Sequence, residues 1–280
     1  MACYHPIPAY LEGGQVKLWP PLGSANTNLP CGGCIGCKTD KATDWARRAE
    51  HEAKSWKHNC FLTLTYRDEE LPPNGHLRPD DLQKFTKRLR AAHSRGHPAI
   101  ATAHLGKLRY LACGEYGDRK GRPHYHMLGF NIDFNDTHEV AKDLRESALV
   151  SDLWPAGQHK IGNLTGASAN YVAQYTLKKI GKTDCDADGV VRPAPFLRAS
   201  LKPAIGNAWL QKYKHDLRMG YLVTEGQRGR IPRSYLQQLQ RMDNQLLAEI
   251  KLNTKHKTET NLEAAEIIHA QQVKNHKRTL

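Results

Sequence analysis

From Cys60 to Tyr66 the side chains alternate, with Phe61, Thr63 and Thr65 on one face and Leu62, Leu64 and Tyr66 on the other. That period of two predicts a half-buried strand. A second predicted strand runs from His124 to Ile132, entered through Arg122 and Pro123. In it His124 and His126 point the same way, about 7 Å apart, and Tyr125 points the other way. Two imidazoles so placed can hold one divalent cation. Arg109 to Tyr116 reads as the preceding strand, turning back over Gly117 to Pro123, so Glu115 can come to lie beside both histidines. Two imidazoles and a carboxylate leave positions on a metal open for a phosphate oxygen and water. Taken alone, His-x-His also fits ordinary half-buried polar residues, and Glu115 could pair with Arg109 or Arg122 on the surface.

Around these strands the chain punctuates itself. Pro79 opens a helix whose buried stripe is Leu82, Phe85 and Leu89 and whose exposed face carries Lys84, Lys87, Arg88 and Arg90. Asp136 with Glu139 predicts a capped helix through Trp154, with Val140, Leu144 and Leu153 inward. Gln158 to Leu164 reads as a strand. Ser168 can cap a last helix running through Lys179 and stopping at Gly181. From Cys60 the order is strand, helix, strand, strand, helix, strand, helix. That predicts an α+β, ferredoxin-like (RRM-like) antiparallel sheet with helices on one side.

Three regions follow: an N-terminal Cys-rich segment over 1–55, a central domain over 56–182 and a C-terminal extension over 183–280. The first is proline-rich and reads as irregular up to a basic helix over Asp40 to Lys57, with Trp45, Ala49 and Ala53 at helical spacing. In the last, 183–232 is interrupted by Pro and Gly. From Pro232, Leu236, Leu239, Met242, Leu246 and Ile250 predict one amphipathic helix, and a polar tail ends in the basic run Lys274 to Arg278, either disordered or a phosphate-contacting arm.

Lys and Arg outnumber Asp and Glu by 41 to 28 in 280 residues. A net +13 favours a polyanionic partner, nucleic acid ahead of an anionic membrane surface. No stretch approaches the roughly 18 apolar residues of a spanning helix, and Met1 to Gly14 has neither a basic nor an apolar signal region, so an intracellular protein is expected. Three of seven cysteines stand in Cys31-Gly-Gly-Cys34-Ile-Gly-Cys37, with Cys3 as a candidate fourth. They read as a Cys₄ zinc site or as reduced thiols in a glycine-rich turn, not as a disulfide framework. Arg119, Lys120 and Arg122 form a basic loop suited to phosphate.

Tyr171 and Tyr175 lie four apart on the predicted last helix, with Lys178 on the same face. A phenol is a weak nucleophile near its ordinary pKa of about 10, and a neighbouring ammonium and a bound phosphate both favour the phenolate. An isolated Tyr-x-x-x-Tyr is ordinarily a packed stripe. A tyrosine pair aligned with a lysine after a His-x-His strand is much less expected of packing alone.

Phe61-Leu-Thr-Leu-Thr-Tyr66, His124-Tyr-His126 and Tyr171-xxx-Tyr175-xx-Lys178 together resemble the three ordered motifs of the HUH endonucleases, which are rolling-circle replication initiators and relaxases. The nearest resemblance is to the gokushovirus-type initiators of microviruses. It covers about Met1 to Ile180 and is most specific between Gly114-Glu-Tyr-Gly117 and Arg122-Pro-His-Tyr-His126. After Gly181 it is loose, mainly around Pro203-Ala-Ile-Gly206. The resemblance implies that His124 and His126 hold Mg²⁺ or Mn²⁺, with Glu115 as third ligand. It implies that Tyr175 and Tyr171 are nucleophiles and that Lys178, with Lys179 a further candidate, meets the phosphate. Thr63 and Thr65 would support the site or contact DNA.

The expected activity is metal-dependent nicking of single-stranded DNA at the origin of a supercoiled circle, followed by strand transfer and circle closure. It would take place in the cytoplasm of a bacterial host, with the host's helicase and polymerase. No nucleotide-binding P-loop pattern is present. A relaxase or transposase would share the chemistry. A non-enzymatic, zinc-dependent DNA-binding protein would keep His and Tyr only as structural residues.

Overall fold

The computed structural model describes residues 3–13, 15–18, 24–101, 106–118, 120–174, 185, 189–224, 226–254 and 262–276. They fall into two compact units, one from Met1–Lys41 with Lys255–Leu280, the other Ala42–Thr254.

In the first unit, β1 (Ile7–Glu12) lies between β2 (Gln15–Leu18) and β3 (Thr27–Leu29), both antiparallel. This small sheet replaces the irregular segment expected there; prolines hid a strand, because Pro8 is tolerated in β1 where it pairs with Asn28. α1 (Ile35–Ala53) follows.

The second unit is built on a seven-stranded sheet. Along the chain come β4 (Asn59–Tyr66), α2 (Pro79–Ser94), β5 (Arg109–Tyr116), β6 (Pro123–Phe130), β7 (Thr137–Ala141), β8 (Leu144–Ser147), α3 (Ala148–Leu153), β9 (Gly157–Asn163) and α4 (Gly166–Gln174). Then come β10 (Phe196–Ala199), α5 (Asn207–Tyr213), β11 (Leu222–Thr224), β12 (Gln227–Gly229), α6 (Arg233–Met242) and α7 (Asn244–Asn253). α8 (Leu262–His276) belongs to the first unit. The large sheet runs β10-β5-β6-β4-β9-β8-β7. Its central four strands have the ferredoxin-like order, all antiparallel. Among the described residues no helix is long and apolar enough to cross a membrane.

The alternation read in β4 is realised: Leu62, Leu64 and Tyr66 are buried against α2 and α3, with Phe85, Leu89 and Trp154. The other face is covered in part by Ala49 of α1, Ala169 and Val172 of α4, and Ile205. Helices therefore flank both faces, not one. The helix expected over Asp136 to Trp154 is a hairpin, β7–β8, followed by one short helix. Asp143 takes φ +60° at its tip, and Val140 is left exposed. Asp136 does cap a helix, but one that starts twelve residues on: its carboxylate accepts from Leu149 N at 2.8 Å and from Ser147 Oγ at 2.7 Å. The single helix expected from Pro232 is broken at Asp243, whose side chain caps α7 by accepting from Leu246 N at 3.1 Å.

The stretch 183–232, hard to read from sequence, supplies the edge strand β10, which pairs Phe196 with Gly114 and Ala199 with Leu111. Gly114 is needed there because a Cβ would stand 2.6 Å from the Phe196 ring. Pro203-Ala-Ile-Gly206 is a clamp. Buried Glu52 accepts from Arg109 Nε at 2.5 Å, Trp56 Nε1 at 3.0 Å and Gly206 N at 2.7 Å. Arg109 Nη2 also donates to Pro203 O at 2.8 Å. Gly206 sits at φ +80°, and a Cβ there would collide with Tyr235 Oη. Gly206→Ala should cost about 2–4 kcal/mol, through overpacking and left-handed strain together, read as a lower midpoint in urea denaturation. A midpoint equal to that of the unsubstituted chain would remove the clamp.

Candidate active site

Antiparallel pairing sets the site in two rows across the sheet. In one, Glu115, His124, Thr65 and Gln158 stand abreast on β5, β6, β4 and β9; in the next, Cys113, His126, Thr63 and Lys160 do. Because the side-chain period is two, all face the side of the sheet that α1 and α4 partly cover.

Glu115 is 3% exposed, and its Oε1 lies 2.9 Å from His124 Nε2 and 3.1 Å from His126 Nε2. The arginines that could have claimed it are engaged elsewhere, Arg109 with Glu52 and Arg122 with Asp68 and with Tyr66 O. The far nitrogens of both rings are also held. His124 Nδ1 is 3.1 Å from Arg122 O and His126 Nδ1 is 3.0 Å from Thr63 Oγ1. A carbonyl only accepts, so Nδ1 of His124 carries its proton, and in the neutral ring Nε2 then turns a lone pair toward a carboxylate. Two acceptors at that distance need a proton or a cation between them. All three donor atoms lie within 4.8 Å of one another, and ligands about 2.1 Å from a cation stand about 3 Å apart along an octahedral edge. The donor set fits a divalent metal, with each imidazole oriented through its other nitrogen.

α4 brings Tyr171 over this centre. Its ring is edge-on to that of His126, centroids 5.1 Å apart, and meets Phe61 at 6.2 Å. Tyr171 is 41% exposed, which a residue serving only to fill the core would not be. Tyr175, Lys178, Lys179 and Arg119, and the helix beyond Gln174, lie outside the described residues. Lys120 is exposed on the turn before β6. Arg122 braces that turn through Asp68 and Tyr66 and does not stand open to a phosphate. Thr63 bonds His126, and Thr65 donates to Gln158 O at 3.3 Å. The sequence reading passed over Lys160, which the row of His126 and Thr63 places on this face, paired with Glu146 at 2.5 Å. Its signal was the alternation in β9, which puts Gln158 and Lys160 on the side of Thr63 and Thr65.

In the first unit a second donor cluster forms. The sulfurs of Cys3, Cys31, Cys34 and Cys37 all lie within 4.8 Å of one another, Cys31 and Cys37 at 4.0 Å. Backbone N–H groups of Cys31, Tyr4 and Cys37 donate to Cys3 and Cys34 at 3.2–3.4 Å. Burial raises the Cys31 thiol, but the N–H groups of Cys34 and Gly33 outweigh it and bring it to about 7. Burial pushes Cys3 and Cys37 up. Sulfurs about 2.3 Å from a tetrahedral ion would stand about 3.8 Å apart, close to what is seen. Cys60 and Cys113 are buried in the large sheet, apart from this group.

The sequence profile of the family of replication-associated proteins described by ORF2 and the gene 2 protein matches residues 59–180, the span from β4 past α4. The chain is 38% identical over 219 residues to the replication-associated protein VP4 of Bdellovibrio phage phiMH2K, covering 75% of this chain and 67% of that protein. It is 41% identical over 172 residues to the replication-associated protein ORF2 of Spiroplasma virus 4, covering 58% and 52% of the two chains. With the replication-associated protein ORF4 of Chlamydia phage 1 it shares 30% identity, over 76% of this chain and 54% of that one. The chain thus spans about half to two thirds of the length of these relatives. No solved structure matches it. With its profile match centred on the sheet that carries Glu115, His124 and His126, and that identity to the phiMH2K protein, the chain belongs to the family of phage replication-associated proteins.

Proposed function

We propose that the protein initiates rolling-circle replication as a nickase and strand-transferase of the HUH-endonuclease type. The observation that carries this reading is the convergence of Glu115, His124 and His126 beneath an exposed tyrosine. Glu115, His124 and His126 would hold Mg²⁺ or Mn²⁺, which supplies Lewis-acid polarisation of the scissile phosphate. Thr63 and the Arg122 carbonyl fix the two rings so that both Nε2 atoms point inward. Tyr171 or Tyr175 attacks phosphorus. The Tyr Oη–P bond forms as the P–O3′ bond breaks, the phenolic proton leaves, and the departing 3′ oxygen takes one up. The products are a 5′-phosphotyrosine and a free 3′-OH that primes synthesis; the ester keeps the bond energy, so rejoining needs no ATP.

The partner is single-stranded DNA at the origin of a supercoiled circle, with helicase and polymerase from the bacterial host in whose cytoplasm it works. The paired tyrosines and the cysteine-bearing segment favour replication over a relaxase or transposase role. Incubated with single-stranded origin DNA and Mn²⁺, the protein should form a covalent, SDS-resistant adduct. A protein that only binds DNA would form none.

Zn²⁺ is assigned to Cys3, Cys31, Cys34 and Cys37. The purified protein should carry about one zinc per chain, and Cys34→Ser should lose it and loosen the N-terminal unit. Elemental analysis without tightly bound zinc would remove the assignment.

A further inference from the structure

The face of the sheet opposite the candidate active site carries its own basic groove, between α2 and the β5–β10 edge. Two pockets form it, of about 550 and 320 Å³, and Arg90 lines both. Its rim is Lys87, Arg90, Arg198, Lys107 and Lys202, all exposed. Among the described residues none of these five has a carboxylate within ion-pairing distance. Asp80 is the one acidic residue lining either pocket. The floor includes Tyr110, with the Arg90 guanidinium 5.0 Å above its ring. Nearby, Arg198 lies 5.3 Å from the ring of Phe196. Cations over aromatic rings along a cleft are what a phosphate backbone with splayed bases meets in single-strand binders.

The groove also starts at the catalytic end of the sheet. Arg78, just before α2, bonds the Tyr125 hydroxyl through both its N–H and its carbonyl. Tyr125 stands between His124 and His126 in β6, on the opposite face. Round the β10 edge, Arg192 lies over Tyr116 and against Gly121, in the turn that precedes His124. Its buried Nε has no hydrogen-bond partner. A cation is thus placed between the active-site turn and the groove.

We propose that this groove is a second tract for single-stranded DNA, taking up strand that lies beyond the nucleotides at the metal centre and reaches it past Arg192. The proposal rests on the nickase reading for its ligand. Every phosphate contact contributes about 0.7 to the salt slope of single-strand binding. Lys87→Glu, Arg90→Glu and Arg198→Glu together should therefore lower that slope by about 2 and weaken binding of a long oligonucleotide about 10- to 100-fold. Adduct formation on a short oligonucleotide of about 6 nucleotides, too short to reach beyond one site, should be unchanged.

In the unsubstituted protein, long single-stranded DNA should also shield Lys87, Lys107 and Lys202 from acylation, read by mass spectrometry. Equal affinity and slope for the long strand in the triple variant, or acylation of these lysines unaffected by DNA, would overturn the proposal. Failure of the nickase reading shows separately, as no adduct from the unsubstituted protein on any substrate; the binding and acylation comparisons are read without cleavage.

Discussion

His126→Ala should abolish nicking, by about 10³-fold or more, while single-stranded DNA binding largely survives. The ring supplies one of three inward donors and also meets Tyr171, so its loss leaves a carboxylate and one imidazole, too few to hold a cation against water. His124→Ala should do the same. Binding survives because the lysines and arginines that meet phosphate are separate from the donor set. Thr63→Ala keeps all three ligands but frees the His126 ring to turn, and should cost about 10–100-fold. EDTA should silence the unsubstituted protein, and added Mn²⁺ should restore it. Undiminished cleavage in excess EDTA would end the metal assignment.

The Tyr171→Phe, Tyr175→Phe double variant should form no DNA adduct at all, whereas each single variant retains some single cleavage. One round of rolling-circle synthesis needs two phosphoryl transfers. The first leaves the 5′ end on one tyrosine. When the origin is regenerated, the enzyme must cut again while that tyrosine is still occupied. A second phenol one helical turn away, about 6 Å, reaches the same phosphate with little movement. The freed 3′-OH then attacks the first phosphotyrosine and closes the circle. Tyr175 has the closer spacing to Lys178 and should matter at least as much for the initial cut. Each single variant should fail to release closed circles over repeated rounds, measured by gel on a circular template. Full multi-round circle production by Tyr171→Phe would make Tyr171 a packing residue.

What the sequence made legible was whatever depends on period and short-range pairing. The alternation in Cys60 to Tyr66 placed β4 and its faces, and the nine residues between Glu115 and His124 fit one hairpin, so the three donors could be brought together on paper. Where local signals serve a distant element, the reading failed. The Asp136 carboxylate is a genuine cap, but for a helix starting at Ala148, and the 3–4 spacing of Val140 and Leu144 belongs to two strands of a hairpin. Pro203-Ala-Ile-Gly206 has no periodicity; its meaning lies in Glu52, Arg109 and Tyr235, far away in sequence. The basic stripe of α2 was visible, but not that Tyr110 and β10 make one wall of a groove beside it.

The edge strand carries a consequence for how the protein comes into being. β5, which bears Glu115, is made about 85 residues before β10, so at ordinary translation rates it waits about 4–17 s for its partner. Over that interval the nascent chain offers an open, hydrophobic strand edge, the kind that recruits stray strands. Arg109 likewise has Glu52 within reach, but neither Pro203 nor Gly206 yet exists to close over the pair. Completion of the strand that presents the carboxylate is thus among the last events of biosynthesis, and a ribosome stalled before residue 200 would hold a chain prone to aggregate.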